Sequence, residues 1–558
     1  MNESTHLPTK AMWNPTTVSL LFIALLVVFA VEIYYLDLYF EEPRRIIPAM
    51  AMLQGHGWLV PSIFGEPYIR KPPAFNWFLA AISLPFSTVN RITARFGIVG
   101  IWFVLGMTVY LFSKTVFQNR MSRAISALSV VFCVVILIEK STLAEPDLFF
   151  TLVIFLALIS WFSLTAGGRY LLGSILSHAL VAVGMLTKGP VVLLFFYIPL
   201  GMVLVFHRNF RRWKELFFGI VFMLITSIAW LYAALNLVSF DVLYQSFSNQ
   251  IAGSGGGFRF LEYVLERLIY PIEVIFILFP FSLLLFYGMN RRFLRVIKRE
   301  IRKSPAISLI IGGILPLVLL WFYPRNSARY LLPAFPWVGL LMGRVVKDLL
   351  DRDQLREALN RILKIAVSIF LIAGLVFYLD YDGATTRVTP LLWICLTVFS
   401  GLLVIWCIYA VGRNSVPSKI VFLLGLMIVL KASWVIVYLP LEKPERFVMD
   451  RAVRKTLQVL PVSEGGTGRT VYFMDVDPLE VPYYFHKHGV TVRKKARDVR
   501  YGLKTFEESL EEVPRGKHNY LLTRKEGIGR GWQNIYTMDL LERKLRLYTR
   551  SPYGSSDR

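Results

Sequence analysis

The sequence predicts a multi-spanning α-helical membrane protein, and two observations carry that prediction. Its 558 residues are 55% hydrophobic and only 18% charged, with a mean hydropathy of +0.55. Charged residues make up about 25% of an ordinary soluble chain, so the composition excludes a soluble enzyme. Apolar runs of about 20 residues, the length that crosses a bilayer as a helix, recur from Val18 to Leu439.

The runs predict about 13 transmembrane helices. They lie near 17–36, 97–113, 124–138, 148–165, 171–186, 189–206, 215–236, 268–288, 306–322, 330–347, 363–379, 390–411 and 420–439. A further apolar stretch, 74–86, is short and contains Asn76. If it does not span, the basic loops all fall on the side of the N-terminus, as the positive-inside rule requires. We therefore predict an interfacial or re-entrant helix at 74–86 and a cytoplasmic N-terminus.

The formal charge of +24, from 61 Lys+Arg against 37 Asp+Glu, fits such basic loops beside anionic lipid headgroups. No basic segment accompanies a soluble nucleic-acid-binding pattern, so no nucleic-acid partner is expected. Cys133, Cys395 and Cys407 all lie in apolar runs. That placement predicts neither a disulfide framework nor a zinc site.

The chain divides at about residue 440 into a transmembrane domain, 1–439, and a soluble tail, 440–558. Charged residues return in the tail, and segments rich in β-formers alternate there with helical patterns. The predicted strands are 470–476, 490–494, 519–523, 535–538 and 544–548, and the predicted helices are 445–460, 479–488 and 503–513. This alternation indicates a small α/β domain.

The predicted topology gathers the reactive side chains on the outer face. That face receives the long loops 37–96 and 237–267, several short turns, and the tail. Glu41 lies in an acidic cluster just after the first span, and Asp147 lies directly before the span predicted at 148–165. Such carboxylates can act as a base, a metal ligand or an electrostatic stabiliser.

Cations occur in the same set of outer loops. Four of these loops present Lys or Arg, including Lys71, Lys188 and Arg329. Together they favour a site for a phosphorylated lipid. ATP and nucleotide sugars are not available outside the bacterial cytosol, so a group transfer there needs a lipid-carried donor.

Short motifs in the first loop occur in a defined order. They are Glu41-Glu42-Pro43-Arg44, Gly57-Trp58-Leu59-Val60-Pro61, Gly65-Glu66-Pro67-Tyr68, Lys71-Pro72-Pro73 and Trp77, followed by Glu145-Pro146-Asp147, Lys188-Gly189-Pro190 and Arg329-Tyr330-Leu331-Leu332-Pro333. The series resembles bacterial aminoarabinose-transferase-like enzymes, which are similar to protein O-mannosyltransferases and have the GT-C fold. The resemblance covers most of 1–345.

The resemblance implies an inverting transfer of a sugar from a polyprenyl (undecaprenyl) phosphate, on the periplasmic face of the inner membrane. By the same resemblance, Glu41 and Asp147 stand at the two acidic active-site positions. The residues expected to bind the carrier phosphate or the donor are Arg44, Tyr68, Lys71, Lys188, Arg329 and Tyr330. The soluble tail is then periplasmic, and the protein is expected to act as a monomer.

The chain departs from the family pattern at three positions. Glu41 stands where the family usually has Asp, and Arg45 stands where it has Tyr. An extra methylene moves a carboxylate by more than an ångström, and displacement on that scale can cost about 100-fold in rate. Arg70 replaces a residue that is often Glu, which argues against the metal site of some relatives. No cofactor is expected.

Three functions stay open on the sequence. The acceptor is an envelope glycolipid such as lipid A in the leading hypothesis, and a protein Ser or Thr in the second. The third is a transporter or lipid flippase, which the ionisable Glu32 inside the first span would suit.

Overall fold

The computed structural model describes most of the chain. The described residues are 14–68, 71–241, 244, 260–288, 290–322, 328–379, 415–442, 444–460, 469–474, 479–494, 513–514, 519–526, 528, 532–540 and 543–550. The predicted span 390–411 and, apart from Val513, the predicted tail helix 503–513 lie outside these residues, as do Arg70 and most of the predicted loop 237–267.

The N-terminal half of the protein is a series of apolar helices. They are α1 (Pro15–Tyr35), α2 (Pro43–Leu53), α3 (Ala74–Ser83), α4 (Arg91–Ser113), α5 (Arg120–Val131), α6 (Pro146–Ala166), α7 (Tyr170–Lys188), α8 (Val191–Phe206) and α9 (Trp213–Leu235). Asn14 and Asn90 cap α1 and α4 with their side chains, and proline occupies the first position of α1, α2 and α6. Local capping therefore sets where several helices begin.

The second half continues the bundle. Its helices are α10 (Phe260–Ile277), α11 (Leu283–Gly288), α12 (Arg291–Lys303), α13 (Pro305–Trp321), α14 (Phe335–Leu350), α15 (Leu355–Leu379), α16 (Val416–Ser433) and the short α17 (Leu439–Glu442). The backbone of α13 approaches α14 closely, because a Cβ on Gly313 would lie 2.1 Å from Cγ of Trp337. Trp337 also packs on Phe155, with ring centroids 5.0 Å apart, in the middle of the buried core.

Short helical turns connect these elements. Two π-helical turns occupy Val135–Lys140 and Trp434–Tyr438, and 3₁₀ turns occupy Leu84–Phe86, Arg208–Phe210, Ala328–Tyr330, Leu332–Ala334 and Pro444–Phe447. The Ala328–Tyr330 and Leu332–Ala334 turns lead directly into α14, so they replace the first turn of the span predicted at 330–347.

Six described helices are long and apolar enough to cross a membrane. They are α1, α4, α6, α7, α9 and the continuous stretch Val416–Tyr438, and a bent pair adds a seventh only when its two helices are counted as one span. In that pair α12 meets α13 at 114°. The total of about 13 spans stays a prediction, whereas the multi-spanning helical architecture is confirmed.

Two predicted features near the membrane surface take a definite form. The stretch 74–86 folds as α3 followed by a 3₁₀ turn, and the ten residues of α3 are too few to cross a bilayer. The basic stretch from Arg291 to Lys303, which lies between the spans predicted at 268–288 and 306–322, is helix α12 and not an irregular loop. It buries Phe293 and Ile297, because these apolar residues lie one turn apart on the same face.

The C-terminal segment (residues 444–550) contains a five-stranded sheet. Its strands are β3 (Thr470–Phe473), β4 (Thr491–Lys494), β5 (Asn519–Thr523), β6 (Trp532–Leu540) and β7 (Arg543–Arg550), in the order β4-β3-β5-β7-β6. The first three are mutually parallel, and β7 is antiparallel to both β5 and β6. Two helices, α18 (Met449–Val459) and α19 (Glu480–Lys487), pack against each other, with α18 on β6 and α19 on β4.

A two-stranded hairpin lies in the first long loop. It consists of β1 (Ser62–Ile63) and β2 (Glu66–Pro67), which pair antiparallel. The two residues between the strands, Phe64 and Gly65, have φ values of +52° and +89°. Positive φ at both positions is what a tight hairpin of this length requires. The hairpin therefore sets the entry of the chain into the motif that contains Tyr68 and Lys71.

Candidate active site

The acidic loop (residues 36–42) follows α1 and carries two glutamates with different surroundings. The Glu42 carboxylate accepts from Nε and Nη2 of Arg95 at 2.8 and 2.7 Å, and from the backbone N–H of Ala144 at 3.1 Å. Arg95 also donates to the carbonyl oxygens of Leu36 and Asp37 at 2.7 and 2.9 Å. Glu42 and Arg95 thus join the acidic loop to α4 and to the turn before α6.

Glu42 is a charged anchor in the interior. Burial on its own would raise the pKa of this carboxyl, but Arg95, Arg446 and the Ala144 N–H hold the pKa below its ordinary value. The side chain retains no exposure. Glu42 therefore stays ionised and is fully occupied by its partners.

Glu41 faces the start of α2. Its carboxylate forms ion pairs with Arg44 and with Arg45, the latter at 2.9 Å between Nη2 and Oε2. The Glu41 side chain keeps 10% of its exposure. Asn76 of α3 donates to the carbonyl oxygen of Arg45 at 2.8 Å, which ties α2 to the helix that follows Lys71. The two arginines in the first turn of α2 thus fix the position of the Glu41 carboxylate.

Asp147 lies in the first turn of α6, a position where the helix dipole favours a negative charge. Lys188, the last residue of α7, donates to its Oδ1 at 2.5 Å. The same ammonium lies over the rings of Phe150 and Tyr330, at 5.1 and 5.9 Å from their centroids. The ends of α6 and α7 meet here because α6 and α7 pack along their length.

The turn before Asp147 adds a second ion pair. Lys140 donates to Oε2 of Glu145 at 2.5 Å. Burial raises the pKa of Glu145, and repulsion from the nearby Asp147 and Glu42 adds to the rise against the pull of Lys140. Glu145 is therefore more easily protonated than an ordinary glutamate, unlike Glu42.

Arg329 and Tyr330 complete the cationic side of the site. The Arg329 guanidinium lies over the Tyr330 ring, 5.3 Å from its centroid. Burial alone would lower the pKa of Arg329, but Tyr330, Asp147 and Glu145 together raise it above its ordinary value. Arg329 is thus permanently charged within electrostatic range of Asp147.

The hairpin motif lies next to α3. The Tyr68 N–H donates to the carbonyl oxygen of Pro61 at 2.6 Å, and the half-buried Lys71 opens the segment that leads into α3. The indole N–H of Trp77 donates to the Trp58 carbonyl oxygen at 2.7 Å, so two of the sequence motifs contact each other directly.

The structure brings six of the eight residues that the sequence singled out into two groups. Arg44 contacts Glu41, Lys188 contacts Asp147 and Tyr330, and Arg329 lies over Tyr330, where its charge acts on Asp147. The Glu42 bond to Ala144 joins the two acidic clusters.

Sequence reasoning missed several residues that build the site. Arg95 and Lys140 are not among the residues that the sequence indicates, and Arg45 is indicated only as part of the charged cluster after the first span and as a departure from the family pattern. Arg95 lies in the second turn of α4, just before the apolar run predicted as a span at 97–113. The sequence therefore assigned it to the preceding loop and gave no signal of a buried partner.

Glu32, the acidic residue that suggested the transport hypothesis, is paired with a lysine of another helix. Glu32 of α1 forms an ion pair with Lys431 of α16 at 2.6 Å, and both side chains are buried. Lys431 also donates to the carbonyl oxygen of Ile138, at 2.7 Å. Within the described part of the chain, no three His, Cys, Asp or Glu side chains are arranged to hold a metal ion.

Comparison with known proteins gives relatives over nearly the whole chain. Residues 70–232 match the family described as dolichyl-phosphate-mannose-protein mannosyltransferase. The chain is 26% identical over 494 residues to the undecaprenyl phosphate-alpha-4-amino-4-deoxy-L-arabinose arabinosyl transferase of Pseudomonas aeruginosa strain UCBPP-PA14. That alignment covers 85% of this chain and 84% of the relative, and the enzyme of strain PAO1 matches equally well.

Solved structures extend the comparison to the fold. The crystal structure of ArnT from Cupriavidus metallidurans in the apo state superposes with a TM-score of 0.68 at 15% identity, over 95% of this chain and 97% of that one. The structure of the same protein bound to undecaprenyl phosphate gives 0.68 at 16% identity, over 96% and 98%.

The fold and the relatives define the class: a membrane glycosyltransferase that uses a lipid-phosphate sugar donor. Within that class the chain is similar to aminoarabinose transferases at 26% identity, and it shares the fold of the ArnT structures. The resemblance predicted from the first-loop motifs is confirmed.

Proposed function

We propose that this protein transfers a sugar from undecaprenyl phosphate to an envelope glycolipid such as lipid A, with inversion at the anomeric carbon. The observation that carries the proposal is the pairing of two buried carboxylates with cations: Glu41 with two arginines, and Asp147 with Lys188 beside Arg329. The sugar to test first is the 4-amino-4-deoxy-L-arabinose used by the relatives of 26% identity.

In the proposed reaction, the bond between the anomeric carbon and the carrier phosphate oxygen breaks, and its electron pair leaves on the phosphate. An oxygen of the acceptor forms the new bond from the opposite face of the sugar. Lys188 and Arg329 stabilise the growing negative charge on the phosphate, because cations placed where charge develops lower the barrier. Tyr68, Lys71, Arg44 and Tyr330 are assigned to donor binding.

Glu41 and Asp147 are assigned the catalytic roles. In the structure without substrate, each carboxylate is neutralised by its cations. An arriving phosphate competes for the same cations, which releases carboxylate oxygens toward the sugar and the acceptor. If the acceptor is a hydroxyl, a released carboxylate can take its proton during attack. If it is a phosphate, no proton needs removal and the carboxylate serves to orient the reactants.

We assign the site to the periplasmic face of the inner membrane. The support is the charge pattern, which puts the basic stretches on the N-terminal, cytoplasmic side, among them α12 with seven Lys and Arg among its 13 residues. A lipid carrier delivers its sugar on the periplasmic side without a nucleotide. The same reasoning puts the C-terminal segment in the periplasm.

Mass spectrometry of lipids and envelope glycans tests the function. A deletion strain is complemented with the wild type, with Asp147→Asn, or with Glu357→Gln as a control. Glu357 is a suitable control because its ion pair with Arg361 lies on the exposed surface. We expect lipid A to lose its sugar, and the carrier-linked sugar to accumulate, in the deletion and the Asp147→Asn strain alone. Unchanged lipids, glycans and carrier pools in the deletion would contradict the proposal.

The match to the mannosyltransferase family supports a second acceptor, a protein Ser or Thr. The same strains distinguish the two acceptors when their periplasmic proteins are digested and their peptides are analysed. Loss of sugar from peptides with unchanged lipid A would transfer the assignment to protein glycosylation. The roles of Glu41 and Asp147 would remain, with one of them taking the hydroxyl proton.

A further inference from the structure

The acidic loop is held by the C-terminal segment, which the proposed reaction does not otherwise use. Asp37 donates its N–H to the carbonyl oxygen of Arg446 at 2.7 Å and accepts from the N–H of Asp450 at 3.2 Å. These contacts join residues more than 400 positions apart in the chain. They connect the segment to the loop just four residues before Glu41.

Tyr484 of α19 makes the most buried of these contacts. Its hydroxyl donates to Oδ1 of Asp37 at 2.9 Å and accepts from the N–H of Leu38 at 3.0 Å. Arg91 of α4 donates to the same Asp37 oxygen at 2.9 Å. The Tyr484 hydroxyl therefore closes a hydrogen-bonded connection between α19, the acidic loop and α4.

Glu480, one turn earlier in α19, acts on the residue before Glu41. Its Oε1 accepts from the N–H of Phe40 at 2.6 Å. Phe40 has a φ of +54°, which a non-glycine residue adopts only when its surroundings hold it there. The Glu480 carboxylate therefore holds the backbone of the residue directly before Glu41.

The hairpin that precedes Tyr68 and Lys71 has a contact with the same segment. The ring of Phe64 lies edge-on to Phe473 of β3 and to His486 of α19, at 5.5 and 5.7 Å between centroids. The segment thus contacts both parts of the first loop that carry proposed site residues. The contacts of Phe64 are made with β3 and α19, whereas those of Asp37 with Arg446 and Asp450 are made with the Pro444–Phe447 turn and α18.

We propose that α19 of the C-terminal segment is a positioning element for sugar transfer, with Glu480 and Tyr484 as its positioning residues. Neither residue is assigned a contact with the reacting atoms. They act by holding the acidic loop, and through the strained Phe40 they hold Glu41 at the distance that the reaction needs. The inference rests on the proposed function, because its kinetic consequence is a consequence for transfer.

Steady-state kinetics of the reconstituted full-length protein test this proposal. The variants are Tyr484→Phe, Glu480→Ala and Glu480→Gln, with Tyr548→Phe as a matched control, since the Tyr548 hydroxyl bonds to Lys525 within the C-terminal segment itself. We expect Tyr484→Phe and Glu480→Ala to lower kcat by about 10- to 100-fold, because displacement of a reacting group by an ångström costs that much. The KM for the donor should change little, and Glu480→Gln should restore most of kcat because its amide oxygen can accept from Phe40.

Hydrogen–deuterium exchange supplies a readout that does not depend on activity. Amides of residues 38–41 should exchange faster in Tyr484→Phe and Glu480→Ala, while those of α6 keep the wild-type rate. Wild-type kcat in both variants, or a loss that merely follows the amount of folded protein, would overturn the inference alone. A wild type that transfers no sugar would overturn the proposed function and this inference with it.

Discussion

Glu41 and Glu42 are adjacent residues of one type, yet the structure gives them opposite surroundings. Glu42 accepts from Nε and Nη2 of the Arg95 guanidinium and from the backbone N–H groups of Tyr39 and Ala144, and it retains no exposure. Glu41 instead faces two arginines at the start of α2 and keeps 10% of its exposure. Glu42 therefore anchors the fold, whereas Glu41 is, under the proposed function, the carboxylate that takes part in the chemistry.

The largest expected effect is the loss of transfer rate when Glu41, and not Glu42, is the residue replaced for its chemistry. Glu41→Gln should lower the turnover of transfer by about 100- to 10,000-fold, the range for loss of a positioned acid–base or electrostatic group. Glu41→Asp should fall between this variant and the wild type, since Arg44 and Arg45 are placed around the longer side chain. Both variants are compared with the wild type by their turnover per folded molecule, with Glu357→Gln as the control. Wild-type turnover in Glu41→Gln would remove Glu41 from the reaction.

The next largest effect is a loss of folding stability, which should be greater when Glu42 is replaced than when Glu41 is replaced. Glu42→Gln leaves the Arg95 guanidinium buried without a countercharge, and breaking a buried pair in this way costs about 3–5 kcal/mol. The free energy of unfolding, or the thermal midpoint in detergent, should therefore fall more for Glu42→Gln than for Glu41→Gln, because the Glu41 and Arg44 side chains keep 10% and 9% of their exposure and stay partly solvated. Equal losses in the two variants would contradict the assignment of Glu42 as the anchor.

The smallest effect is the pH dependence of that stability. The pKa of Glu42 is lowered in the folded protein from an ordinary value of 4.5, so its contribution is fully present above about pH 4.5 and is lost as the pH falls through the folded pKa. The half-buried Asp450, whose pKa is also lowered, acts in the same direction below about pH 3.8. The thermal midpoint of the wild type should fall on acidification below about pH 4.5, and Glu42→Gln should lose less over that window. An equal fall of the thermal midpoint in both proteins would show that protonation of Glu42 does not cause the loss of stability at acidic pH.

The sequence predicted the outline of the fold because hydrophobic run length and alternation are local properties. The strands predicted at 470–476, 490–494 and 519–523 begin within one residue of β3, β4 and β5. The span predicted at 97–113 begins six residues too late. The helix starts at Arg91 under the Asn90 cap, and its polar first turns interrupt the apolar pattern.

The sequence predicted which residues form the candidate site better than it predicted which of them contact each other. The charge pattern grouped Glu41, Asp147 and Lys188 on one face, and the structure joins the first two through Glu42 and Ala144. The partner of Glu42 could not be predicted, because the Glu42–Arg95 pair depends on how α4 packs beside the acidic loop. The contacts of Tyr484 and Glu480 with that loop span more than 400 residues, and no local pattern encodes them.

Single-turnover transfer by purified Asp147→Asn tests the central claim most directly. The protein is reconstituted with undecaprenyl phosphate-linked aminoarabinose and lipid A, and the wild type and Glu357→Gln are measured beside it. Loss of a preorganised charge at the reacting centre typically costs about 100- to 1,000-fold. We therefore expect a fall of that size in Asp147→Asn, with binding of undecaprenyl phosphate retained through the cations. A folded Asp147→Asn protein that transfers the sugar at the wild-type rate would contradict the account.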